Sequence, residues 1–318
     1  MRARLIVAFG LVYVVWGSTY FAIRVGLESL TPFTLGAIRF LVAGGLLYGW
    51  TRLRGAAPPS RAQWRVAALT GALMLLVGNG AVIFAEQRAP SGLVALIVTS
   101  VPLWMVLIDW LRPGGTRPDA TVFAGLAVGS LGIVLLIDPV AALRGAAVPP
   151  LEAGILLIGT LSWAAGSVYS RHHKVGGSTT QLAALQMLVA GVLFAAVAAL
   201  RGELARLDLA TVTTRSWLAV GYLAAFGSIV AYSAYIWLTR ATTAARLGTY
   251  AYVNPIVALV LGAAFAGETV TPRVMIAAAL VLAAVVAITA GRDRVRAALR
   301  VLSPSGRGSR RTSNGRAA

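Results

Sequence analysis

The chain has no cysteine, only two histidines and only ten acidic residues among 318. Without cysteine there is no disulfide, no thiolate metal ligand and no thiol nucleophile. The histidines, His172 and His173, are adjacent. Neighbouring residues on a helix point about 100° apart, which speaks against a shared metal and leaves them a structural or topogenic role. Charge is scarce overall at 12%, against about 25% in a soluble domain, while 58% of residues are hydrophobic and the mean hydropathy is +0.80. A water-soluble fold is excluded on this balance. What charge there is has one sign, with a net +18. It sits in loops and a tail and not on a face suited to nucleic acid.

What is present is a series of apolar runs. A helix crossing the hydrocarbon core needs about 20 apolar residues, and the sequence offers ten candidates: 5–23, 34–50, 66–85, 92–111, 120–137, 151–169, 181–200, 217–238, 247–267 and 274–291. With the N-terminus cytoplasmic, the inward segments carry twenty arginines and lysines and the outward segments seven, Arg39 alone lying inside a span. That asymmetry follows the positive-inside rule and predicts both termini in the cytoplasm. The basic start is followed by a run too long for a signal peptide and without a small-residue cleavage site, so no cleavage is expected. The tail, 292–318, has eight arginines and one acid. It reads as disordered beyond a short amphipathic continuation, with anionic lipid as its expected contact.

The chain also repeats itself. Leu41-Val42-Ala43-Gly44 recurs as Leu188-Val189-Ala190-Gly191, 147 residues on. Val101-Pro102 within one run is matched by Asn254-Pro255 in another, and Trp16-Gly17-Ser18 by the cluster from Trp163 to Ser167. Five spans per half force the second half to enter the bilayer from the opposite side. The expected fold is therefore all-α and integral to the membrane: ten transmembrane helices in two inverted five-helix repeats, 1–140 and 141–291, followed by the tail. Inverted repeats around a midplane site are the architecture of secondary transporters.

The candidate site residues come from what interrupts the apolar runs. Pro102 and Pro255 deprive the carbonyls four residues earlier, of Val98 and Ala251, of their helical partners, which predicts a pair of broken helices lining a cavity. Polar and aromatic side chains recur at helical spacing: Trp16 and Tyr20 on span one, Asn79 and Glu86 on span three, Trp163 and Ser167 on span six, Ser228, Tyr232 and Tyr235 on span eight, Tyr250 and Asn254 on span nine. Pairs three or four apart share a helix face. Spans two, five, seven and ten carry little besides Ala, Val, Leu and Gly and read as supporting helices. The interfacial belt accounts for some of Trp50, Trp64, Trp110 and Trp217. None of the ten acids lies in the middle third of a span, so the sequence shows no proton wire. Glu86, at the end of span three, is the nearest candidate; alternatively it pairs with Arg88 or faces water. Arg39 is expected to snorkel to the interface, the alternative being a pair with Glu28 or Glu86. Glu268 reads as a helix-end residue beside a turn.

These residues also carry a resemblance. The stretch from Trp16 to Arg24, Arg39 to Gly44, Ala85-Glu86-Gln87, Ala89 to Gly92 and Ser100 to Leu103 resemble the EamA family of the drug/metabolite transporter superfamily, and within it the YedA/PecM-like branch. In the second half the likeness is carried by Arg240 to Ala244, Asn254-Pro255 and Gly267-Glu268. The resemblance implies a ten-helix bundle with a central cavity in a bacterial cytoplasmic membrane, exporting amino acids or related metabolites. It leaves substrate and energy coupling open. Thr243 and Ala244 stand nearest where a counterpart of Glu86 would be, so Glu86 would act alone. The expected activity is alternating-access export of a small, uncharged or zwitterionic, partly apolar solute, with a multidrug exporter as the rival and a scaffold or sensor as the remoter one. An intramembrane enzyme is disfavoured, because no histidine and no acid pair lies within any span. No cofactor, metal or nucleic-acid partner is expected, and a homodimer is compatible with the sequence.

Overall fold

The computed structural model describes residues 2–113, 115, 117, 120–137, 148–242, 247 and 250–284, and these form helices, with no strand among them. Among the described residues, seven helices are long and apolar enough to cross a membrane. They are α1 (Arg2–Gly26), α2 (Pro32–Leu53), α3 (Arg61–Ala85), α4 (Ser91–Leu111), α6 (Pro150–His172), α7 (Thr179–Leu200) and α8 (Thr214–Ala241). Three further apolar helices are α5 (Ala120–Ile137), α9 (Tyr250–Phe265) and α10 (Pro272–Ala284). The basic tail expected at 292–318, with its lipid contact, and the end of the last apolar run lie outside the described residues.

Helix starts are set by local chemistry. Ser60 and Gln63 form a reciprocal capping box at α3, Ser178 accepts from the Gln181 N–H at α7, and Thr213 accepts from the Ser216 N–H at α8. Two helices are capped from elsewhere in the chain. The Glu203 carboxylate accepts from the N–H groups of Phe33 and Thr34 at the start of α2, at 3.0 and 3.1 Å. Glu268 does the same for Ser91 and Gly92 at the start of α4, at 2.7 and 3.1 Å. Each glutamate follows a glycine with positive φ, Gly202 at 69° and Gly267 at 66°, a conformation that turns the chain back where other residues would be strained. Glu268 is thus more than the helix-end residue expected from sequence.

Packing pairs helices across the bundle. α2 runs along α7, α1 along α9, and α4 along both α9 and α6. Where α2 meets α7, Gly44 lies against Leu188 and Gly191 against Leu41, so the two copies of the repeated tetrapeptide touch each other. Small residues let the backbones approach closely, which in lipid is a main source of helix association.

Three helices depart from regular α geometry. α3 is π-helical over Gly71–Asn79 and α8 over Leu223–Tyr232. Such wide turns rotate the side chains that follow and recur at functional sites. α4 is interrupted at Thr99 and Ser100, so its second segment starts at Val101 with Pro102 in the first turn, where a missing N–H costs nothing. α9, by contrast, continues through Pro255. The expected pair of broken helices is therefore one broken helix and one that absorbs its proline.

Candidate functional site

The helices surround a cavity whose interior offers about 60 Å³ to the centres of water-sized molecules. α1 contributes Trp16, Thr19, Tyr20 and Ile23; α2 contributes Arg39 and Phe40; α3 contributes Leu75, Gly78, Asn79 and Val82. The remaining wall is Val98 and Val101 of α4, Leu156, Gly159, Thr160 and Trp163 of α6, Gly227, Ser228 and Tyr232 of α8, and Tyr250 and Asn254 of α9. Of the sequence candidates, Trp16, Tyr20, Asn79, Trp163, Tyr232, Tyr250 and Asn254 line this space, and Glu86, Pro102, Ser167, Tyr235 and Pro255 do not.

One wall is aromatic. Trp16 meets Trp163 and Tyr250 edge to face, with ring centres 5.5 Å apart in both cases, and Tyr235 packs behind them at 4.9 Å from Trp16 and 5.6 Å from Trp163. Edge-to-face geometry places positive ring edges on negative faces. Hydrogen bonds then fix the rings. The Trp16 indole donates to the Gly227 carbonyl at 3.1 Å, the Trp163 indole to the Tyr235 hydroxyl at 3.3 Å, and that hydroxyl shares a bond with Ser167 at 2.9 Å. Tyr235 and Ser167 thus hold the cavity wall from behind. Tyr232 donates to Gln186 at 2.9 Å, and Gln186 in turn donates to Thr70 at 2.7 Å. α7, expected to be merely supporting, therefore supplies a buried polar anchor.

The proline of α4 acts at one remove. Ser100, in the interruption, donates to Thr160 at 2.9 Å, and Trp104 donates to the same hydroxyl at 2.9 Å, so the break is tied to α6 through a cavity residue. Asn254, with its amide oriented so that the nitrogen donates, bonds the carbonyls of Tyr13 and Tyr250 at 3.0 and 3.2 Å. It locks α9 to α1.

Two ionisable residues stand otherwise than the sequence led us to expect. Arg39 does not snorkel and does not pair with Glu28 or Glu86: it is only 3% exposed. Its Nε donates to Ser228 at 2.9 Å and its Nη1 to Asn79 at 3.2 Å. Both partners come from the π-helical segments. Glu28 pairs with Arg215 instead. Among the described residues, Arg39 is the one charged side chain lining the cavity, so the interior is not free of fixed charge and α2 is not merely a supporting helix. Glu86 neither faces water nor pairs with Arg88, which reaches Glu152 at 3.4 Å. It is 1% exposed, and neither carboxyl oxygen has a hydrogen-bond partner. Arg24 donates to its main-chain carbonyl and that of Ala89, at 3.1 and 3.3 Å. The sequence marked Arg39 as a candidate, since an arginine inside an apolar span is rare and costly, but not its partners. The histidines form no metal cluster with other ligands among the described residues, and His173 stacks on Tyr169 with ring centres 3.8 Å apart.

A multi-helix membrane bundle around an enclosed aromatic and polar cavity, with irregular helices at its wall, defines the class of small-molecule membrane transporters. The sequence pattern of the EamA-like transporter family matches residues 4–138 and again 151–290, and the chain belongs to that family, within the drug/metabolite transporter superfamily. It is a multi-pass protein of the cell membrane. It is 41% identical over 281 residues to the uncharacterized inner membrane transporter YedA of Escherichia coli strain K12, covering 88% of this chain and 89% of that protein. It is 30% identical to PecM of Dickeya dadantii, covering 89% and 93%. A probable amino-acid metabolite efflux pump of Escherichia coli is 26% identical, covering 86% and 90%. A solved crystal structure 21% identical in sequence shares the fold with a TM-score of 0.66, over 92% of this chain and all of the other.

Proposed function

We propose that the protein exports a small amphipathic metabolite, an amino acid or related compound, by alternating access. The observation that carries this reading is the cavity: it is bounded by helices from both ends of the chain and combines an aromatic wall with fixed polar groups. The reading takes the chain as ten spans in two inverted halves, 1–140 and 141–291, with both termini cytoplasmic, rocking about the shared site. The reciprocal contact of Gly44 and Gly191 with the opposite helix supports it, as does the double family match. Trp16, Tyr20, Trp163, Tyr232 and Tyr250 supply apolar and cation–π contact, and Asn79 and Asn254 supply polar groups. Glu86, Pro102, Ser167, Tyr235 and Pro255 act from behind or beside the cavity. The relative described as an amino-acid metabolite efflux pump favours this substrate class. An aromatic wall also suits xenobiotics, and a multidrug exporter is the second reading, separated by the breadth of compounds moved.

The test is mass spectrometry of the medium from cells expressing wild type or Val98→Trp at matched membrane levels. Val98 lines the cavity half-buried, so a tryptophan there fills space without removing a side-chain hydrogen bond. A metabolite enriched outside only with the wild type is the expected result. Equal media would remove metabolite export from first place.

A further inference from the structure

We propose that Arg39 is the anion-binding residue of the cavity, and that the transported compound carries a single carboxylate held by this guanidinium, its remainder lying against Trp16, Trp163 and Tyr250. The proposal rests on the transport reading above and names the substrate chemistry of the same site.

The first ground is a buried charge without an ion pair. Arg39 is nine-tenths buried or more, faces the cavity, and forms no ion pair among the described residues. Guanidinium keeps its charge under any condition a cell offers, and a buried charge without a counter-charge is strongly unfavourable. Its two partners, Ser228 and Asn79, are neutral. They aim the group without neutralising it.

The second ground is that the fold withholds the obvious counter-ion. Glu86 is a buried carboxyl with no hydrogen-bond partner of its own, close enough to act on Arg39 electrostatically yet beyond ion-pair distance of it. A purely structural arginine would be expected to meet it. Instead the guanidinium lines the cavity, held by one side chain from each π-helical segment. The third ground is that position 227 has no side chain: a Cβ on Gly227 would lie 3.0 Å from Thr19 Cγ2 and 3.1 Å from Arg39 Nη2, and would crowd the guanidinium.

The geometry also selects among anions. A guanidinium presents parallel N–H donors that match a carboxylate. One fixed cation balances one negative charge, so a phosphate monoester, with about two, would be left half-neutralised. No acidic side chain among the described residues lines the cavity, so among them a simple amine has the aromatic faces to bind.

The test uses the full-length protein in lipid nanodiscs. Its unfolding midpoint is measured with acetate, butyrate and 3-phenylpropionate, and with 2-phenylethylamine, all at matched ionic strength. The carboxylates should stabilise the wild type, 3-phenylpropionate most and at the lowest concentration, and the amine should not. Arg39→Lys keeps charge but loses the fork, and should need roughly tenfold more 3-phenylpropionate. Arg39→Gln should abolish the shift, and Ser228→Ala, which leaves the arginine but not its aim, should weaken it if Arg39→Gln does not fold. No shift with any carboxylate, or an equal shift in the variants, overturns the proposal. So does an exported metabolite that lacks an anionic group, an outcome that would leave the transport reading intact, whereas failure of export with carboxylate binding retained would overturn transport alone.

Discussion

Gly44 of α2 lies so close to Leu188 of α7 that a Cβ on the glycine would sit 2.8 Å from the leucine amide nitrogen, and Gly191 stands to Leu41 in the same way at 2.7 Å. The contact is self-complementary, as in a twofold interface. Because the obstructing atoms are backbone, neither helix can yield by a rotamer change. Gly44→Val and Gly191→Val should each lower stability by about 2 kcal/mol or more, read as a drop in the detergent unfolding midpoint. As the sites share one interface, the double variant should fall short of the sum. A Gly44→Val protein melting with the wild type would show that the helices are not held at this distance.

The paired glutamate caps give a second expectation. Glu268 takes hydrogen bonds from both the N–H and the hydroxyl of Ser91, each at 2.7 Å, and its charge lies at the positive end of α4. Glu268→Ala leaves those donors unmet and should cost about 1–3 kcal/mol; Glu268→Gln, which retains an acceptor, should cost less. Glu203→Ala should behave alike at α2. Equal losses in the Ala and Gln variants would mean that the charge, and not the acceptor, carries the cap.

These particulars show what a linear reading can reach. The tetrapeptide repeat, the aromatic pairs and the proline in α4 are all visible as spacing, because each is a property of one helix face. The role of Arg39 was not, since its partners are 40 and 189 residues away and only the folded bundle makes snorkelling impossible. The π-helical turns that bring Asn79 and Ser228 to it leave no compositional trace. Nor did spacing separate Pro102 from Pro255: one begins a helix after a break, while the other sits inside a continuous one, and that difference depends on the neighbours that hold Ser100. The Gly-Glu pairs at 202–203 and 267–268 were a legible signal that went unread, because a cap is recognised by the helix it serves and not by the turn it sits in.

Glu86 supports a third prediction. A carboxyl whose two buried oxygens have no hydrogen-bond partner has only longer-range attraction to Arg24 and Arg39 to set against the cost of its burial. Glu86→Leu, similar in shape and apolar, should leave the unfolding midpoint unchanged or raise it by about 1 kcal/mol in stability. If export by that variant is lost while stability holds, Glu86 serves turnover. A clear fall in stability would mean instead that the carboxyl finds a partner in the membrane.

The pair formed by Arg88 and Glu152 permits a sharper test, because its members differ in burial. The arginine side chain is 72% exposed and the glutamate 2%, and the second glutamate oxygen has no partner. Removing the arginine leaves a buried carboxylate whose remaining support is the N-terminal end of α6. Removing the glutamate's charge leaves an arginine already in solvent. Arg88→Ala should therefore cost more than Glu152→Gln, by about 1 kcal/mol once exposure of the arginine is allowed for. The double variant should match Glu152→Gln, since the arginine has no further role once its partner is neutral. The measurement is a double-mutant cycle of thermal melts at low and high salt, in which the Arg88→Ala penalty should shrink as salt screens the exposed partner. Equal single-variant losses, or a penalty indifferent to salt, would show that the contact is incidental.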